Sequence, residues 1–381
     1  MQLKSATVFP LAIPFVEAFR HSSKDRTFSD SVVVKVVAED GTAGWGEGVP
    51  RPYVTGETVD AMLTTVAEVF WPRARAMALP GLLEPDDLAR IDALLGEVTA
   101  TGSVSHHASR CAMECAIIDC ALRAQGRTLG ALLPPASEGI AYSGVITAGP
   151  VEKVVQHARQ MKLIGLRSIK VKAGFDDDEA RLRSIRDVMG AGVALRLDAN
   201  GAWSADEAIE RLRRLAPLQI AAVEQPIRRG PATELARVRR EGGVPIIVDE
   251  SLVTLDDANE LIAARACDYF NLRISKCGGL ARTAALARLA RGAGIKLQLG
   301  CQVGETAILS AAGRHLALAL PELEFLEGSF GTLLLTEDVS HERVNFGHGG
   351  KAARLAGPGL GIRVLEERVR KYAQKAVDLS G

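Results

Sequence analysis

The chain has 381 residues, 47% hydrophobic and 24% charged, and its 46 basic and 46 acidic residues balance to zero net charge. This is the composition of an ordinary globular protein, and without a basic excess it gives no reason to expect nucleic-acid binding. Because no run of about 18 apolar residues occurs, we expect no membrane association, and the alternating, proline-containing start of the chain does not predict a signal peptide. We expect a cytoplasmic protein that forms a homo-oligomer.

The first third of the chain predicts strands followed by helices. The segments TVFPLAIPF and SVVVKVVAEDGTAGWGEG have strand character, with Asp40-Gly41 at a hairpin turn, and the stretch from about residue 56 to 124 is helical. Strands followed by helices indicate an α+β unit, which we assign to residues 1–130. The glycines of GWGEG follow a hairpin turn and not a strand–helix junction, so they do not predict a phosphate-binding loop.

Three cysteines of this part, Cys111, Cys115 and Cys120, have helix-like spacing among small apolar residues. We interpret them as packed core residues and not as metal or redox groups, because no second cluster of Cys or His lies nearby. Free cysteines are consistent with a reduced, cytoplasmic protein.

From about residue 138 the pattern changes to short apolar runs that alternate with helical segments. Eight such runs are IAYSGVI, SIKVKAG, ALRLDAN, AAVEQPI, PIIVDES, YFNLRISK, KLQLGC and EFLEGS. Eight strand–helix units predict an α/β fold, a (β/α)8 TIM-type barrel over residues 131–340, with a doubly wound open sheet as the alternative. The segment 341–381 is expected to pack back on the N-terminal unit.

Acidic residues end three consecutive predicted strands. Asp198, Glu224 and Asp249 are separated by 26 and 25 residues, about one strand–helix unit each, so their carboxylates should converge at one end of the barrel. Each acid alone could cap the following helix, but three in phase would repel one another unless a cation lay among them. An all-oxygen site of this kind suits Mg²⁺, with Mn²⁺ as a possible substitute.

Lysines flank the predicted metal site. Lys170 and Lys172 share one face of the second strand, and Lys276 is predicted at the end of the sixth. A metal-bound carboxylate would have an acidified α-hydrogen through a stabilised enediolate, and Lys172 and Lys276 could move that proton on opposite faces. Lys170 and Lys172 should depress each other's pKa, while the neighbouring acids oppose that shift.

The motifs KVK, LDAN, VEQP, VDES and ISKCGG, in this order, resemble the enolase superfamily, specifically its muconate-lactonizing-enzyme subgroup. The resemblance spans nearly the whole chain and makes the N-terminal unit a capping domain. It implies Mg²⁺ on Asp198, Glu224 and Asp249, Lys172 and Lys276 as acid/base catalysts and Lys170 as a supporting lysine. Asn200 and Glu250 would support the ligands from behind, with simple helix capping as the alternative.

Substrate contacts are expected from the capping loops and the eighth strand. The candidates in the loops are basic or aromatic, and a solvated loop is the alternative for each: His21, Lys24, Arg26, Arg51 and Tyr53. On the eighth strand, Glu327 and Ser329 should lie near the mouth. Dipeptide epimerases of this subgroup carry an Asp-x-Asp pair there to hold the substrate's ammonium group, and this chain lacks it, which argues against a dipeptide with a free amine. Muconate cycloisomerases carry a glutamate from which Glu327 is displaced by one residue, a shift expected to change its face.

The partner is expected to be a small-molecule carboxylate. The capping loops resemble those of epimerases and racemases, so we expect racemisation or epimerisation of an N-substituted amino acid or related carboxylate. Cycloisomerisation of a muconate and dehydration of a hydroxy acid remain alternatives, as does a non-catalytic carboxylate-binding barrel. Among other polar residues, we interpret Cys301 as a core thiol, with a place at the border of the site as the alternative. Glu305 is explained as a helix N-terminal acid, with a reach to the barrel mouth as the alternative, and His315 as a packed or surface histidine.

Overall fold

The computed structural model describes residues 1–20, 25–98 and 105–379. Within these ranges the N-terminal part consists of strands followed by helices. Its strands are β1 (Leu3–Pro10), β2 (Pro14–Arg20), β3 (Asp25–Phe28), β4 (Val32–Ala38) and β5 (Ala43–Gly48). Its helices are α1 (Val59–Thr65), α2 (Trp71–Arg75), α3 (Asp87–Leu95) and α4 (His107–Ala124), with a π-helical turn (Val66–Phe70) between α1 and α2. This is the predicted α+β unit.

The long helix α4 packs directly on β5 through a row of glycines. Gly44, Gly46 and Gly48 alternate along the strand and therefore share one face. A Cβ atom on Gly46 would overlap the backbone of Ala112, and one on Gly48 would overlap the backbone of Ala108. The glycines of GWGEG thus serve a close approach of helix to strand.

The C-terminal part alternates strands with helices. In chain order these are β6 (Gly139–Ala141), β7 (Gly144–Ile146), α5 (Val151–Ile164), β8 (Ser168–Lys172), α6 (Asp178–Met189), β9 (Ala194–Asp198), α7 (Ala205–Leu215), β10 (Ile220–Glu224), α8 (Ala232–Gly242), β11 (Ile246–Val248), α9 (Leu255–Ala263), β12 (Tyr269–Leu272), α10 (Ile274–Cys277), α11 (Leu280–Gly292), β13 (Lys296–Leu299), α12 (Ala307–Ala319) and β14 (Leu323–Leu326). Strands β7 to β14 form one sheet in sequence order, and the pairs whose register is resolved are parallel.

The sheet curls into a barrel. The Ser143 amide, next to β7, donates to the Leu326 carbonyl of β14 at 2.7 Å, which joins the first strand to the last. A doubly wound sheet would reverse its strand order midway, so that alternative is wrong. The last strand is followed by a short 3₁₀ turn (Gly331–Leu333) where a regular eight-unit barrel would have its eighth helix.

The C-terminal segment returns to the first sheet. It contains β15 (Lys351–Ala353), which pairs with β6, then α13 (Glu366–Tyr372) and β16 (Val377–Asp378). Strand β16 pairs with β1, so the first sheet has the order β16-β1-β4-β5. The domain boundaries drawn at residues 130 and 340 stay predictions.

The hydrophobic core continues from the first sheet into the layer between barrel strands and helices. A smaller apolar cluster fills the inside of the barrel, where Tyr269 and Phe325 from non-adjacent strands meet with ring centroids 5.4 Å apart. None of the described helices is long and apolar enough to cross a bilayer.

Candidate active site

The three predicted acids lie side by side at the carboxyl ends of adjacent strands. Asp198 ends β9 and Glu224 ends β10, where the two residues are register partners, and Asp249 directly follows β11. All three are fully buried. Parallel pairing brings the strand ends to one edge, which is why the sequence spacing converts into a row of carboxylates.

Two cations bridge this row. Lys170 Nζ lies 3.4 Å from Asp198 and 3.2 Å from Glu224, while Arg273 Nη2 lies 3.3 Å from Glu224 and 2.5 Å from Asp249. With the cations inserted, the described residues include no group of three or more His, Cys, Asp or Glu side chains spaced to hold a metal ion. The carboxylate charges are therefore balanced by protein side chains in this arrangement.

The donor set nevertheless fits a hard divalent cation. Three fully buried carboxylates present only oxygen atoms, the ligand type that Mg²⁺ prefers. Asp249 Oδ2 contacts Arg273 without hydrogen-bond geometry, and Glu250 Oε2 also accepts no hydrogen bond. Buried acceptors without donors are costly, and a bound cation would satisfy them.

The two predicted acid/base lysines stand at opposite ends of the row. Lys172 Nζ donates to Asp198 Oδ2 at 2.6 Å and to Asn200 Oδ1 at 2.9 Å. Lys276 Nζ donates at 2.8 Å to Asp249 Oδ1 and also to the carbonyls of Asp249 and Asn271. Lys276 lies in the one-turn helix α10 and not at the end of the sixth strand, as the sequence had suggested, because β12 already ends at Leu272.

Charge compensation sets the pKa values of the acids and of Lys170. Burial acts to raise the pKa of Asp198, but Lys172 and Lys170 hold it well below its usual range. Burial also acts to raise the pKa of Asp249, but Arg273 and Lys276 outweigh burial and keep that pKa low. Glu224 differs, because burial and the charge of Asp198 together raise its pKa. At Lys170 the opposition from the acids prevails: burial lowers its pKa, but Glu224, Glu327 and Asp198 outweigh burial and raise it.

Asn200 and Glu250 take part in the site and do not cap helices. Asn200 adopts φ of 47°, which turns its side chain so that Oδ1 accepts from Lys172 while Nδ2 donates to Glu250 Oε1 at 3.3 Å. The following helices are capped instead by Ser204 and Thr254. Burial, together with the neighbouring Asp249 and Asp198 charges, raises the pKa of Glu250 to about 8.

Glu327 points into the barrel, so the expected change of face is wrong. Its Oε2 lies 2.5 Å from Lys170 Nζ and its Oε1 accepts from Arg196 Nη1 at 2.9 Å. Phe325, two residues earlier on β14, also lies inside the barrel, so strand alternation brings Glu327 to the same inner face. Ser329 also lies nearby, but it is buried with φ of 53° and donates to the Tyr142 hydroxyl at 2.8 Å.

Several interior polar residues were missed by sequence reasoning. Asn271 Nδ2 and Gln298 Nε2 each donate to Glu224 at 2.8 Å, and Arg196 donates to Gln298 and Glu327. These residues lie within apolar strands (LRLD, YFNL, KLQL) on the inward face. The sequence signal that could have identified them is a polar residue within an otherwise apolar strand. Burying such a side chain costs free energy unless it finds a hydrogen-bond partner in the barrel interior.

A cavity of about 340 Å³ lies between the capping part and the barrel mouth. Lys170, Lys172, Asn200, Glu250, Arg273, Glu305, Glu327 and Ser329 line its barrel side, and Val16, Tyr53, Phe330 and Leu333 are among its apolar residues. Cys301 also borders this cavity, so its interpretation as a core thiol is wrong. Burial raises the pKa of Glu305 to about 8.

The residues of the capping loops that were predicted to contact the substrate differ in where their side chains lie. Tyr53 lines the cavity and is half exposed. Arg51 lines it too, but is 1% exposed and donates to Asp30 at 2.7 Å and to the Val303 carbonyl at 2.6 Å, which fastens the capping loop to the barrel. Arg26 pairs with Asp30. The candidates His21 and Lys24 lie outside the described residues.

Known proteins resemble the whole chain. The family described as Enolase C-terminal domain-like matches residues 153–368. A hydrophobic dipeptide epimerase from Enterococcus faecalis is 30% identical over 368 residues, covering 95% of this chain and 99% of its own. Muconate cycloisomerase 1 from Rhodococcus opacus is 27% identical over 373 residues, covering 96% of each chain.

Solved structures show the same architecture. The crystal structure of the N-succinyl Arg/Lys racemase from Bacillus cereus superposes with a TM-score of 0.89 at 25% identity, covering 99% of this chain and 100% of that one. The dipeptide epimerase from Enterococcus faecalis, complexed with Mg and the dipeptide L-Leu-L-Tyr, superposes with a TM-score of 0.83 at 27% identity, covering 95% and 99%.

Proposed function

Because this chain is an isomerase of the enolase superfamily, in its muconate-lactonizing-enzyme subgroup, we propose that it racemises or epimerises N-substituted amino acids by moving the proton α to the carboxylate. The observation that carries the proposal is the placement of Lys172 against Asp198 and of Lys276 against Asp249, at the two ends of the carboxylate row. One base on each side of a bound α-carbon permits removal of the proton from one face and return to the other.

We propose that Asp198, Glu224 and Asp249 hold Mg²⁺, with Mn²⁺ as a substitute to be tested. When bound, the ion would supply Lewis acidity that polarises a substrate carboxylate and acidifies its α-hydrogen. A cation bound at these oxygens would compete with the contacts that Lys170 and Arg273 now make with the acids.

The residues around the lysines define their tasks in the reaction. Lys172 Nζ borders the cavity and is oriented by Asp198 and Asn200, so it is placed to take or return a proton on the cavity side. Lys276 Nζ is oriented by two carbonyls as well as by Asp249, which fix its direction from behind. Asn271 and Gln298 hold Glu224 in place through its two oxygens.

The cavity supports an N-substituted amino acid with an apolar portion. Its wall carries Val16, Tyr53 and Leu333, each more than half exposed in the chain alone, opposite the charged barrel side. The relatives named above act on a hydrophobic dipeptide and on N-succinyl-L-Arg or Lys, which both carry a substituted α-amine or amide beside the reacting carbon.

The homo-oligomeric state and the cytoplasmic location stay predictions.

A muconate cycloisomerase is the second candidate. The inward position of Glu327, 2.5 Å from Lys170, favours it, because cycloisomerases of the subgroup carry a glutamate near this place. The two candidates differ in the fate of the substrate: a racemase exchanges and inverts an α-hydrogen, whereas a cycloisomerase forms a lactone.

The test is incubation in D₂O with Mg²⁺ and N-succinyl-L-arginine, followed by NMR, with L-Leu-L-Tyr as the free-amine probe for comparison. The proposal predicts α-deuteration with inversion, and Lys172→Ala and Lys276→Ala should each abolish exchange of a different stereoisomer. Lactone formation from cis,cis-muconate without α-exchange of any amino-acid derivative would overturn it in favour of the second candidate.

A further inference from the structure

The short helix α10, which carries Lys276, is held from outside the barrel. At four residues it is too short to be stable alone, since a helix must be several turns long to outweigh its nucleation cost. Its position therefore depends on what contacts it. On its C-terminal side, Gly278 and Gly279 have φ of 90° and 115°, conformations that favour glycine. Because glycine has no side chain, this stretch contributes no side-chain packing of its own.

The contacts come from the capping part. The Val49 amide donates to Ser275 Oγ at 2.8 Å, and Glu114 of α4 accepts from the amides of Leu280 and Ala281 at the start of α11. Between them, His107 Nδ1 lies 2.7 Å from the carbonyl oxygen of Lys276 itself. Because a carbonyl only accepts, Nδ1 carries the hydrogen, and burial lowers the pKa of His107, which favours the neutral ring.

The glycines of ISKCGG are explained by the same contacts. A Cβ on Gly278 would lie 3.3 Å from the ring of His107, and one on Gly279 would overlap the Glu114 carboxylate. The backbone beside Lys276 thus lies close against the histidine and the glutamate of α4. His107 is held in turn, because Glu57 accepts from the amides of Ala108 and Ser109 at 2.8 and 3.0 Å and so anchors the start of α4.

We propose that His107 is a positioning residue for Lys276: the capping helix α4, through the 2.7 Å bond to the Lys276 carbonyl, fixes the base that serves one face of the substrate. This inference rests on the proposed two-base function. It makes the capping part a determinant of proton transfer on the Lys276 face alone, since Lys172 lies on β8 and is oriented by barrel residues.

The experiment compares His107→Ala with His107→Asn, whose amide nitrogen can replace the Nδ1 donor. The readout is α-deuteration of N-succinyl-L-arginine and N-succinyl-D-arginine, and of L-Leu-L-Tyr and L-Leu-D-Tyr, measured as initial exchange before inversion. His107→Ala should slow exchange of one stereoisomer by about 10- to 100-fold and leave the other within about twofold, because a base displaced by about 1 Å loses rate of that order. His107→Asn should recover most of the loss.

His315→Ala is the matched control. His315 is a buried histidine whose ring also contacts a carbonyl, that of Leu360 at 3.2 Å, but on α12. It should affect both stereoisomers alike or neither. Equal slowing of both stereoisomers by His107→Ala, or no slowing, would overturn the inference.

Hydrogen exchange of the unliganded chain provides a readout that does not depend on turnover. His107→Ala should accelerate the exchange of amide hydrogens in a peptide covering residues 274–280. In this peptide the Cys277 amide donates to the Arg273 carbonyl, and the Gly279 amide donates to the Ile274 carbonyl. If the wild type exchanges no α-hydrogen of any probe, the proposed function fails and this measurement still decides whether His107 holds the Lys276 segment. Unchanged exchange of that peptide would show that it does not.

Discussion

Glu327 and Lys170 form an ion pair inside the barrel, with Oε2 and Nζ 2.5 Å apart and both side chains at most 4% exposed. Two cations contact Glu327, Lys170 and Arg196, and they depend on its charge to different degrees. Lys170 also contacts Asp198 and Glu224, whereas the described acidic partner of Arg196 is Glu327. Removing the glutamate charge therefore leaves Arg196 as the more poorly compensated cation.

We predict that Glu327→Gln lowers the free energy of unfolding by about 3 kcal/mol, because breaking a buried pair strands a charge. Urea denaturation followed by circular dichroism measures this. The control Glu138→Gln breaks an exposed pair with Arg354 and should leave stability unchanged. A Glu327→Gln chain as stable as the wild type would mean that Arg196 is compensated in another way.

Mg²⁺ should stabilise the folded chain. At a concentration about 100-fold above its dissociation constant, the ion should add about 2.7 kcal/mol, seen as a rise in the thermal midpoint. Asp249→Asn should abolish that rise, while Asp268→Asn, which alters an acid at the opposite end of the strands, should retain it. An undiminished rise in Asp249→Asn would exclude Asp249 as a ligand.

The glycine row of β5 should be intolerant of side chains. Gly46→Ala places a methyl group against the backbone of α4, which cannot yield as a side chain can, so we expect a loss of about 3 kcal/mol. Gly81→Ala is the matched control, since nothing lies within 4 Å of the added Cβ there. Thermal unfolding of both variants gives the comparison, and equal stability of the two would contradict the packing described.

Glu47 should make stability fall as pH rises. Its carboxylate accepts from the Thr306 amide and hydroxyl and from the Leu309 amide, and burial raises its pKa from 4.5 to about 7. Between pH 4.5 and about 7, Glu47 is protonated in the folded chain and ionised in the unfolded chain. The stability from this group is thus full below pH 4.5 and is lost as pH rises through 7, by about 3 kcal/mol in all.

The measurement is the stability difference between the wild type and Glu47→Gln as a function of pH. The difference should move in favour of glutamine by about 3 kcal/mol between pH 4.5 and 8. Glu39→Gln, at an exposed position near the β4–β5 turn, is the control that should show no such movement. A pH-independent difference for Glu47→Gln would contradict the raised pKa.

Sequence reasoning succeeded where periodicity determines geometry. The spacing of Asp198, Glu224 and Asp249 predicted their adjacency, because equivalent positions on parallel strands meet at one edge. The same reasoning misjudged Glu327, because it compared the residue with the position of the cycloisomerase glutamate and not with Phe325, which shares the inner face of this strand with Glu327. It also placed Lys276 on a strand because a one-turn helix has no periodicity to detect.

Other features depend on contacts between distant parts of the chain. The bridging role of Arg273 arises from carboxylates at the ends of two other strands, and the glycines of GWGEG are explained by α4, sixty or more residues away in sequence. Local pattern carries no record of such partners. A polar residue in a buried strand, as at Asn271 and Gln298, is the one local sign that a partner exists.

The pairing of β16 with β1 gives the first sheet an unusual place in the order of folding. Thr7 and Val8 can meet Asp378 and Val377 only after the barrel between them has been synthesised, so this is among the contacts of longest range in the chain. Loop closure over such a distance is slow, and β1 remains an open edge until it is made. We therefore expect β1 to pair with β4 alone in the ribosome-bound chain, with its other edge open to pairing with another chain until Val377 and Asp378 emerge.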